Sequence, residues 1–500
     1  MSQTVNKSSL RDSFPNPETA ANVVYNPSFD QLRELAVDNE TTTEFGSPAY
    51  VSGQRSRSAD RTKNLLDDEF STADWEAVEN ALAAADEREL VCLDRQVGRH
   101  PETSFTCRLY VPAAYAQIAL GWAKLLEPGQ GEPDFITLQL PDWDDRRIRV
   151  LPETGLTFVL GSDYTGEAKK SFLRLFMHRI KAQGGLGLHA GTKRVTVESD
   201  GQRETVGQAF LGLSATGKST LTGHQCWLEA PEGAEMLQDD VCALLTDGQV
   251  TGSEGKGLYI KTDSLDHEEQ PALYDAATHE SAVFENVWVD DDGAVDFENI
   301  DLTSNGRAVV QRDQVASAAD DIDLERVDQI FFITRNPVMP PVVRLDERQA
   351  AVAFMLGESI QTSAGDPDAA GESIRVVGTN PFIIGPEGEE GNRFHDLVET
   401  NDVECFVLNT GHVGPAQADI GVRESVNILV NAARGDISWE YDETMGLELP
   451  SEVPGLDVER FYPPAHYEEF VRELEALRTE RRQYLDQFDS LREDIKDAVY

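Results

Sequence analysis

Residues 212–219 read Gly212-Leu213-Ser214-Ala215-Thr216-Gly217-Lys218-Ser219, the pattern G-x-x-x-x-G-K-[ST], with Thr220 next. Small residues let the backbone wrap closely, so that its N–H groups point inward at phosphate oxygens. Lys218 would reach the β- and γ-phosphates of a nucleotide, and the Ser219 hydroxyl would ligate Mg2+. Such a loop needs a strand before it and a helix after it. Val206 to Leu211 is a strand-like run, and Ser219 to Thr222 opens a helix. Further on, Leu237-Gln238-Asp239-Asp240 sets two carboxylates at the end of an apolar run. In nucleotide-binding α/β domains an acid so placed holds the metal, directly or through water.

Other chemistry-bearing residues lie on both sides of the loop. Tyr164-Thr165-Gly166-Glu167-Ala168-Lys169-Lys170 puts two lysines at the start of an apolar helix in a strongly acidic chain, either for function or to solvate the helix start. His189, in Gly187-Leu188-His189-Ala190-Gly191, reads equally as a packed core histidine or as a ligand. Lys261 follows a strand-like run, and Glu285 sits in Phe284-Glu285-Asn286-Val287 between apolar neighbours. A buried acid needs a partner, and a basic cluster is the natural one.

The elements that must position these groups are legible in part. Residues 1–45 read as loosely structured, with one helix at 30–37. Ser71 to Arg88 starts on a capping residue and keeps its apolar positions on one face. Strands are expected at Phe105–Val111, Phe135–Leu140, Leu156–Leu160, Met236–Leu237, Ile330–Thr334 and Cys405–Asn409. A helix from Lys169 to Ala182 carries Phe172, Leu175, Phe176 and Ile180 on one side. After Pro463 a last helix presents Phe470, Leu474, Leu477, Leu485, Phe488, Leu491 and Ile495 at mostly three- and four-residue spacing, a stripe for packing against the body. A boundary near residue 185 divides the chain into domains 1–185 and 186–500.

Composition narrows the class. Five hundred residues with 40% apolar content fill two or three cores. The net charge of −47 opposes binding to nucleic acid or to an anionic membrane. Acid clusters such as Asp67-Asp68-Glu69, Asp142-Trp143-Asp144-Asp145 and Asp290-Asp291-Asp292 are spread along the chain. That spread predicts a surface adapted to concentrated salt, as in a salt-loving microbial cytoplasm. Met1 to Pro17 lacks an apolar signal core, and no run of eighteen apolar residues occurs. Five scattered cysteines without a C-x-x-C pair argue against disulfides or a zinc knuckle. A cytoplasmic protein, expected to be a monomer, fits these signs.

Taken together the segments resemble the ATP-dependent phosphoenolpyruvate carboxykinases. Gly212 to Thr220 is similar to that family's kinase loop, Leu237 to Asp240 to its second kinase motif, and Tyr164 to Lys170 to its Tyr-x-Gly-Glu-x-Lys-Lys run. Arg57-Ser58 resembles part of its Gly-Arg-Ser-Pro substrate segment. Glu285-Asn286-Val287, Met339-Pro340-Pro341-Val342, Val407 to Gly411 and the stretch from Leu449 to Asp457 are similar to further motifs, in the same order. The resemblance covers about residues 45–465. It implies a two-domain α/β fold, with a mixed-sheet nucleotide domain carrying the phosphate loop and a catalytic cleft between the domains.

The resemblance also implies roles. Lys170, His189 and Asp240 would bind Mn2+ at the substrate, Lys170 as a neutral amine. Lys218 would stabilise the phosphoryl group in flight, with Ser219 on the nucleotide's Mg2+ and Asp239 beside the loop as a catalytic acid. Arg57 and Tyr164 would contact oxaloacetate or phosphoenolpyruvate. Arg307, in Asn305-Gly306-Arg307, would stabilise the transferring phosphate, Lys261 would add charge, and Glu285 and Arg423 would help hold ATP. The reaction implied is decarboxylation of oxaloacetate to an enolate that takes the γ-phosphoryl group of ATP. The chain departs from the family pattern at Val241-Cys242-Ala243-Leu244, in the lid at Leu356 to Gln361, at Ala59, and at Thr334-Arg335-Asn336-Pro337, where the family has Asp-Ala-Phe-Gly. Two alternatives remain: a kinase of the same scaffold acting on another small hydroxyl compound or acid, and an ATP-binding regulatory protein without turnover.

Overall fold

A computed structural model describes residues 10–56, 58–199, 201–213, 216–263, 265–268, 270–360, 373–415 and 418–500, the side chain of residue 360 excepted. The fold is α/β. Two compact units divide the chain, one made of Met1–Arg179 with Ser253–Ala316, the other of Ile180–Gly252 with Ser317–Tyr500. The expected uninterrupted second domain is not found, because residues 253–316 belong to the first unit. The reason is strand pairing at long range: Val283–Glu285 pairs with Pro48–Tyr50, and nothing local in the sequence announces that.

The first unit is organised on two sheets. Its larger one runs Val23–Tyr25, Leu90–Val97, Phe105–Pro112, Phe135–Leu140, Leu156–Leu160, Arg147–Leu151 and Thr62–Asn64, neighbour to neighbour, with Glu127–Pro128 beside Leu90–Val97. Alternation assigns its faces. Ile136, Leu138 and Leu140 join the cluster under the helix Thr72–Glu87, which Ser71 and Asp74 cap reciprocally. From the opposite side Thr137 bonds Ser171 at 2.8 Å, and Gln139 donates to the carbonyls of Ser162 and Tyr164 at 2.9 and 3.2 Å. The helix Thr165–Ala182 therefore starts at a fixed place, four residues before the expected Lys169. The smaller sheet runs Gly257–Lys261, Arg307–Gln311, Val283–Glu285, Pro48–Tyr50, Glu40–Thr42. Residues 10–45 are less loose than expected, since Val23–Tyr25 and Glu40–Thr42 are paired strands.

The second unit is built on an eight-stranded sheet: Gly233–Gln238, Ala190–Ser199, Gln202–Gly212, Gln329–Thr334, Glu404–Asn409, Val342–Leu345, Leu447–Glu452, Ser438–Asp442. Gln202–Gly212, Gln329–Thr334 and Glu404–Asn409 are parallel and end level, Gly212 opposite Ile333 and Thr334 opposite Asn409. Phe210, Phe331 and Phe406 stack across these three strands at 5.6 and 5.0 Å. They share a core with the amphipathic helix Val422–Arg434. The helices Glu347–Leu356 and Glu387–Asn401 belong to a second core cluster of this unit. The expected last helix is divided. It runs Phe470–Leu485 and resumes as Glu493–Lys496, with a turn between them from which Phe488, Leu491 and Ile495 return to the same core. Among the described residues no helix is long and apolar enough to cross a membrane. All five cysteines are buried free thiols.

Candidate active site

In the second unit the strand Gln202–Gly212 leads, through the segment that carries the G-x-x-x-x-G-K-[ST] pattern, to the helix Lys218–Gly223. Gly217 turns the chain at φ 94°, in the left-handed region, and a Cβ on Gly212 would come 2.7 Å from Thr216 Oγ1. The Thr216 hydroxyl donates to the Leu213 carbonyl at 2.8 Å, and the Thr410 hydroxyl donates to the Thr216 carbonyl at 2.7 Å. Thr410 follows Asn409, so the neighbouring parallel strand braces the loop from outside. Ser214 and Ala215 lie outside the described residues. Ser219 and Thr220 open the helix, whose close approach to Ala190–Ser199 depends on Gly191: a Cβ there would meet Thr222 Oγ1 at 2.2 Å.

His189 and Asp240 meet because two chains change sheet at the same level. Leu188 pairs with Cys242 in one sheet, and Thr192 pairs with Gln238 in the next. His189 occupies the first break and Asp239-Asp240-Val241 the second. His189 Nε2 lies 3.0 Å from Asp240 Oδ1, and Lys218 Nζ is 3.3 Å from the same nitrogen. At the other edge of the ring Nδ1–H donates to the Thr379 carbonyl at 2.6 Å. That bond leaves Nε2 with its lone pair. Burial, and then the Lys218 ammonium, hold the imidazole below its ordinary pKa and therefore neutral.

A neutral imidazole anchored through Nδ1–H to a carbonyl, its Nε2 lone pair turned toward the Lys218 ammonium and the Asp240 carboxylate, is a donor set suited to a divalent cation. Asp239 Oδ1, beside it in sequence, is buried and has no hydrogen-bond partner among the described residues. Among the described residues no group of three or more His, Cys, Asp or Glu is gathered. Nitrogen and oxygen donors of this sort fit the Mn2+ or Mg2+ that the resemblance implies.

The first unit gathers a different set. Lys261, Arg307 and Glu285 stand side by side across three strands, Arg307 opposite both others. Glu285 accepts from the Tyr259 hydroxyl and from Thr165 N–H at 2.8 Å, and burial pushes its carboxyl up to about 7. Arg307 donates to Asn305 Oδ1 at 2.8 Å and lies 5.5 Å from the Tyr259 ring centre. Lys170 Nζ lies 5.3 Å from the centre of the Tyr164 ring. Burial pushes the Tyr164 hydroxyl up, but Arg307 and then Lys170 outweigh it and leave it below the ordinary phenol value. Lys261 pairs with Asp263 at 3.0 Å. The neighbouring Lys169 forms a buried pair with Glu254 at 2.9 Å, a structural partner rather than a surface charge.

Arg57 lies outside the described residues, but the segment before it is held firmly. Asp163 accepts from the N–H groups of Gly53 and Gln54 at 2.7 and 2.9 Å, and Asn286 exchanges two hydrogen bonds with Ser52. Ser58 N–H donates to Glu167. Arg423 is exposed in the first turn of Val422–Arg434 and lines a cavity of about 740 Å3 with Trp227, Arg434 and Arg460. No described residue of 212–220 lines that cavity. Thr379, Thr410, Tyr259 and Asp163 were not singled out from sequence. Thr379 acts through a backbone carbonyl, which carries no residue signature.

The family model described as phosphoenolpyruvate carboxykinase matches residues 21–459. The chain belongs to the phosphoenolpyruvate carboxykinase family. It is 35% identical over 486 residues to phosphoenolpyruvate carboxykinase (ATP) of Aeropyrum pernix, covering 95% of this chain and 96% of that one. It is 27% identical over 452 residues to the protein of that name from Azorhizobium caulinodans, covering 84% and 80%. The protein of that name from Agrobacterium fabrum is 27% identical over 482 residues, covering 88% and 86%. Membership accounts for the order of motifs along the chain and supports an enzyme of this general type.

Proposed function

We propose that this chain is an ATP-dependent phosphoenolpyruvate carboxykinase that converts oxaloacetate and ATP to phosphoenolpyruvate, ADP and CO2. The observation that carries this reading is Lys218 at 3.3 Å from a neutral His189 that also faces Asp240, so that phosphate and cation chemistry share one place in the second unit. Breaking the C3–C4 bond of oxaloacetate releases CO2 and leaves its electron pair in an enolate. The enolate oxygen then attacks the γ-phosphorus while the bridging oxygen departs with ADP.

The residues divide the work by charge. Gly212–Thr220 would hold the polyphosphate through backbone N–H groups, and Lys218 would follow the charge on the transferring phosphoryl group. His189 and Asp240 would hold one divalent cation, and Ser219 with Asp239 would serve the nucleotide's cation. When bound, these ions supply charge stabilisation to the enolate and phosphoryl oxygens. Arg57 and the depressed hydroxyl of Tyr164 would receive the anionic substrate. Arg307 and Lys261 would spread phosphoryl charge, while Glu285 fixes Tyr259 and the start of the helix Thr165–Ala182. Arg423 would act at the nucleotide's periphery.

The test is stoichiometric. Protein at high salt with oxaloacetate, ATP, Mg2+ and Mn2+ is expected to form phosphoenolpyruvate and ADP one to one, and to run backwards from phosphoenolpyruvate, ADP and bicarbonate. ADP formed only when another hydroxyl compound is supplied would instead mark a kinase of the same scaffold. Nucleotide binding without turnover across a substrate panel would mark a regulatory protein.

A salt-adapted surface and a salt-rich cytoplasm belong to the same proposal, on the strength of the net charge of −47. Below about 0.5 M salt the Debye length grows and the acids repel one another over longer distances. Thermal unfolding followed by circular dichroism is expected to show a large loss of stability there. Equal stability with and without salt would refute the adaptation.

A further inference from the structure

Arg335 lies just beyond the carboxyl end of the strand Gln329–Thr334 in the second unit. The chain holds 90 acidic residues against 43 lysines and arginines, so a cation without an acid beside it needs a reason. Among the described residues Arg335 forms no ion pair, and its Nε is buried with no hydrogen-bond acceptor. Burial alone shifts its pKa, downward, with no neighbouring carboxylate to offset it. An unsatisfied buried guanidinium nitrogen is costly, which favours a site that an anion completes.

Its position names the anion. Arg335 follows Thr334 at the end of the strand Gln329–Thr334, which runs parallel to the strand that delivers the phosphate loop, Gly212 lying opposite Ile333. The Thr410 hydroxyl contacts the Thr334 carbonyl at 3.3 Å and the Thr216 carbonyl at 2.7 Å, tying the residue before Arg335 to the loop itself. A Cβ on Gly411 would come 3.1 Å from Arg335 Cβ, so the arginine side chain leaves the strand against the turn that braces the loop. The backbone there is immobilised: Asn409 Nδ2 donates to the carbonyls of Asn336 and Met339 at 2.9 and 2.8 Å, and Asn336 donates to Glu358 at 2.8 Å. Ligands in α/β sheets bind beyond the carboxyl ends of parallel strands.

We propose that Arg335 is a further anion-binding residue of the phosphate-loop site, one that contacts the polyphosphate of the bound nucleotide. This rests on the nucleotide reading given above. The planar fork of a guanidinium matches phosphate oxygens two at a time. In the segment where this family reads Asp-Ala-Phe-Gly, Thr334-Arg335 thus replaces an acid and supplies a base.

Calorimetric titration of the full-length protein with ATP and with adenosine, at one fixed salt concentration, tests the assignment. Arg335→Gln is expected to weaken ATP binding by about 10- to 100-fold, as for loss of a charged hydrogen bond, and to leave adenosine binding within about twofold. Unchanged ATP affinity in a folded R335Q protein overturns the proposal while leaving the nucleotide reading intact. Failure of the wild-type protein to bind ATP overturns both. Should R335Q not fold, phenylglyoxal labelling of the wild type read by mass spectrometry decides. ATP is expected to protect Arg335 where adenosine does not, and equal labelling with and without ATP rejects the contact.

Discussion

Arg307→Gln is expected to lower kcat by about 10³-fold, the scale of an arginine that stabilises a transferring phosphoryl group. Arg307 stands opposite Lys261 and Glu285 at the edge of three strands, and one of its nitrogens is already oriented by Asn305 at 2.8 Å. The fork is therefore positioned before substrate arrives, and the loss falls on kcat more than on KM. Arg307→Lys keeps the charge but not the geometry, and recovers only part. A second readout reports on position alone. Arg307 is the stronger of the two cations that hold the Tyr164 hydroxyl down, so its removal moves that phenol's titration to higher pH. Ultraviolet difference spectra of tyrosinate against pH would show the change. A variant with near-normal kcat would exclude Arg307 from the chemistry.

Lys218→Ala is expected to cut kcat by at least about 10²-fold with the far-ultraviolet circular dichroism unchanged. The lysine begins a six-residue helix whose packing depends on Gly191, Thr222 and Leu221 rather than on the Lys218 side chain. Folding should therefore survive its loss. Nucleotide affinity should fall less than turnover, because the backbone of Gly212–Thr220 still meets the phosphates. Unaltered turnover would separate the loop from the reaction.

The strand before Gly212 and the helix from Lys218 were legible because apolar run, small residues and helix start are contiguous. The helix Thr72–Glu87 was legible for the same reason, with its cap and apolar stripe both local. His189 was not decidable from its neighbours, since its role depends on two strands breaking at one level more than 50 residues apart in the chain. The assignment of Glu285 and Lys261 to the first unit was equally invisible. Glu285 joins it through pairing with Pro48–Tyr50 and Lys261 through Arg307 in the same sheet, and the linear sequence placed both in the second. Apolar spacing carried the last helix past its true end at Leu485, because Leu491 and Ile495 return to the same core from a turn. The family resemblance placed Arg57 in the substrate segment, a position outside the described residues. Arg335 drew notice only as a departure from a pattern.

The interleaving of the two units has a consequence for how the chain is made. Asn286 and Ser52, which hold the segment leading to Arg57, are 234 residues apart. At about 5–20 residues per second a ribosome takes roughly 10–50 s to cover that distance. Through that interval Pro48–Tyr50 has only Glu40–Thr42 to pair with, and its other edge stays open to wrong partners. Both units are discontinuous, so no single cut of the polypeptide releases either one as an unbroken piece. A nascent chain stalled before residue 283 would carry Gly212 to Ser219 but not the strand Val283–Glu285 that pairs with Pro48–Tyr50.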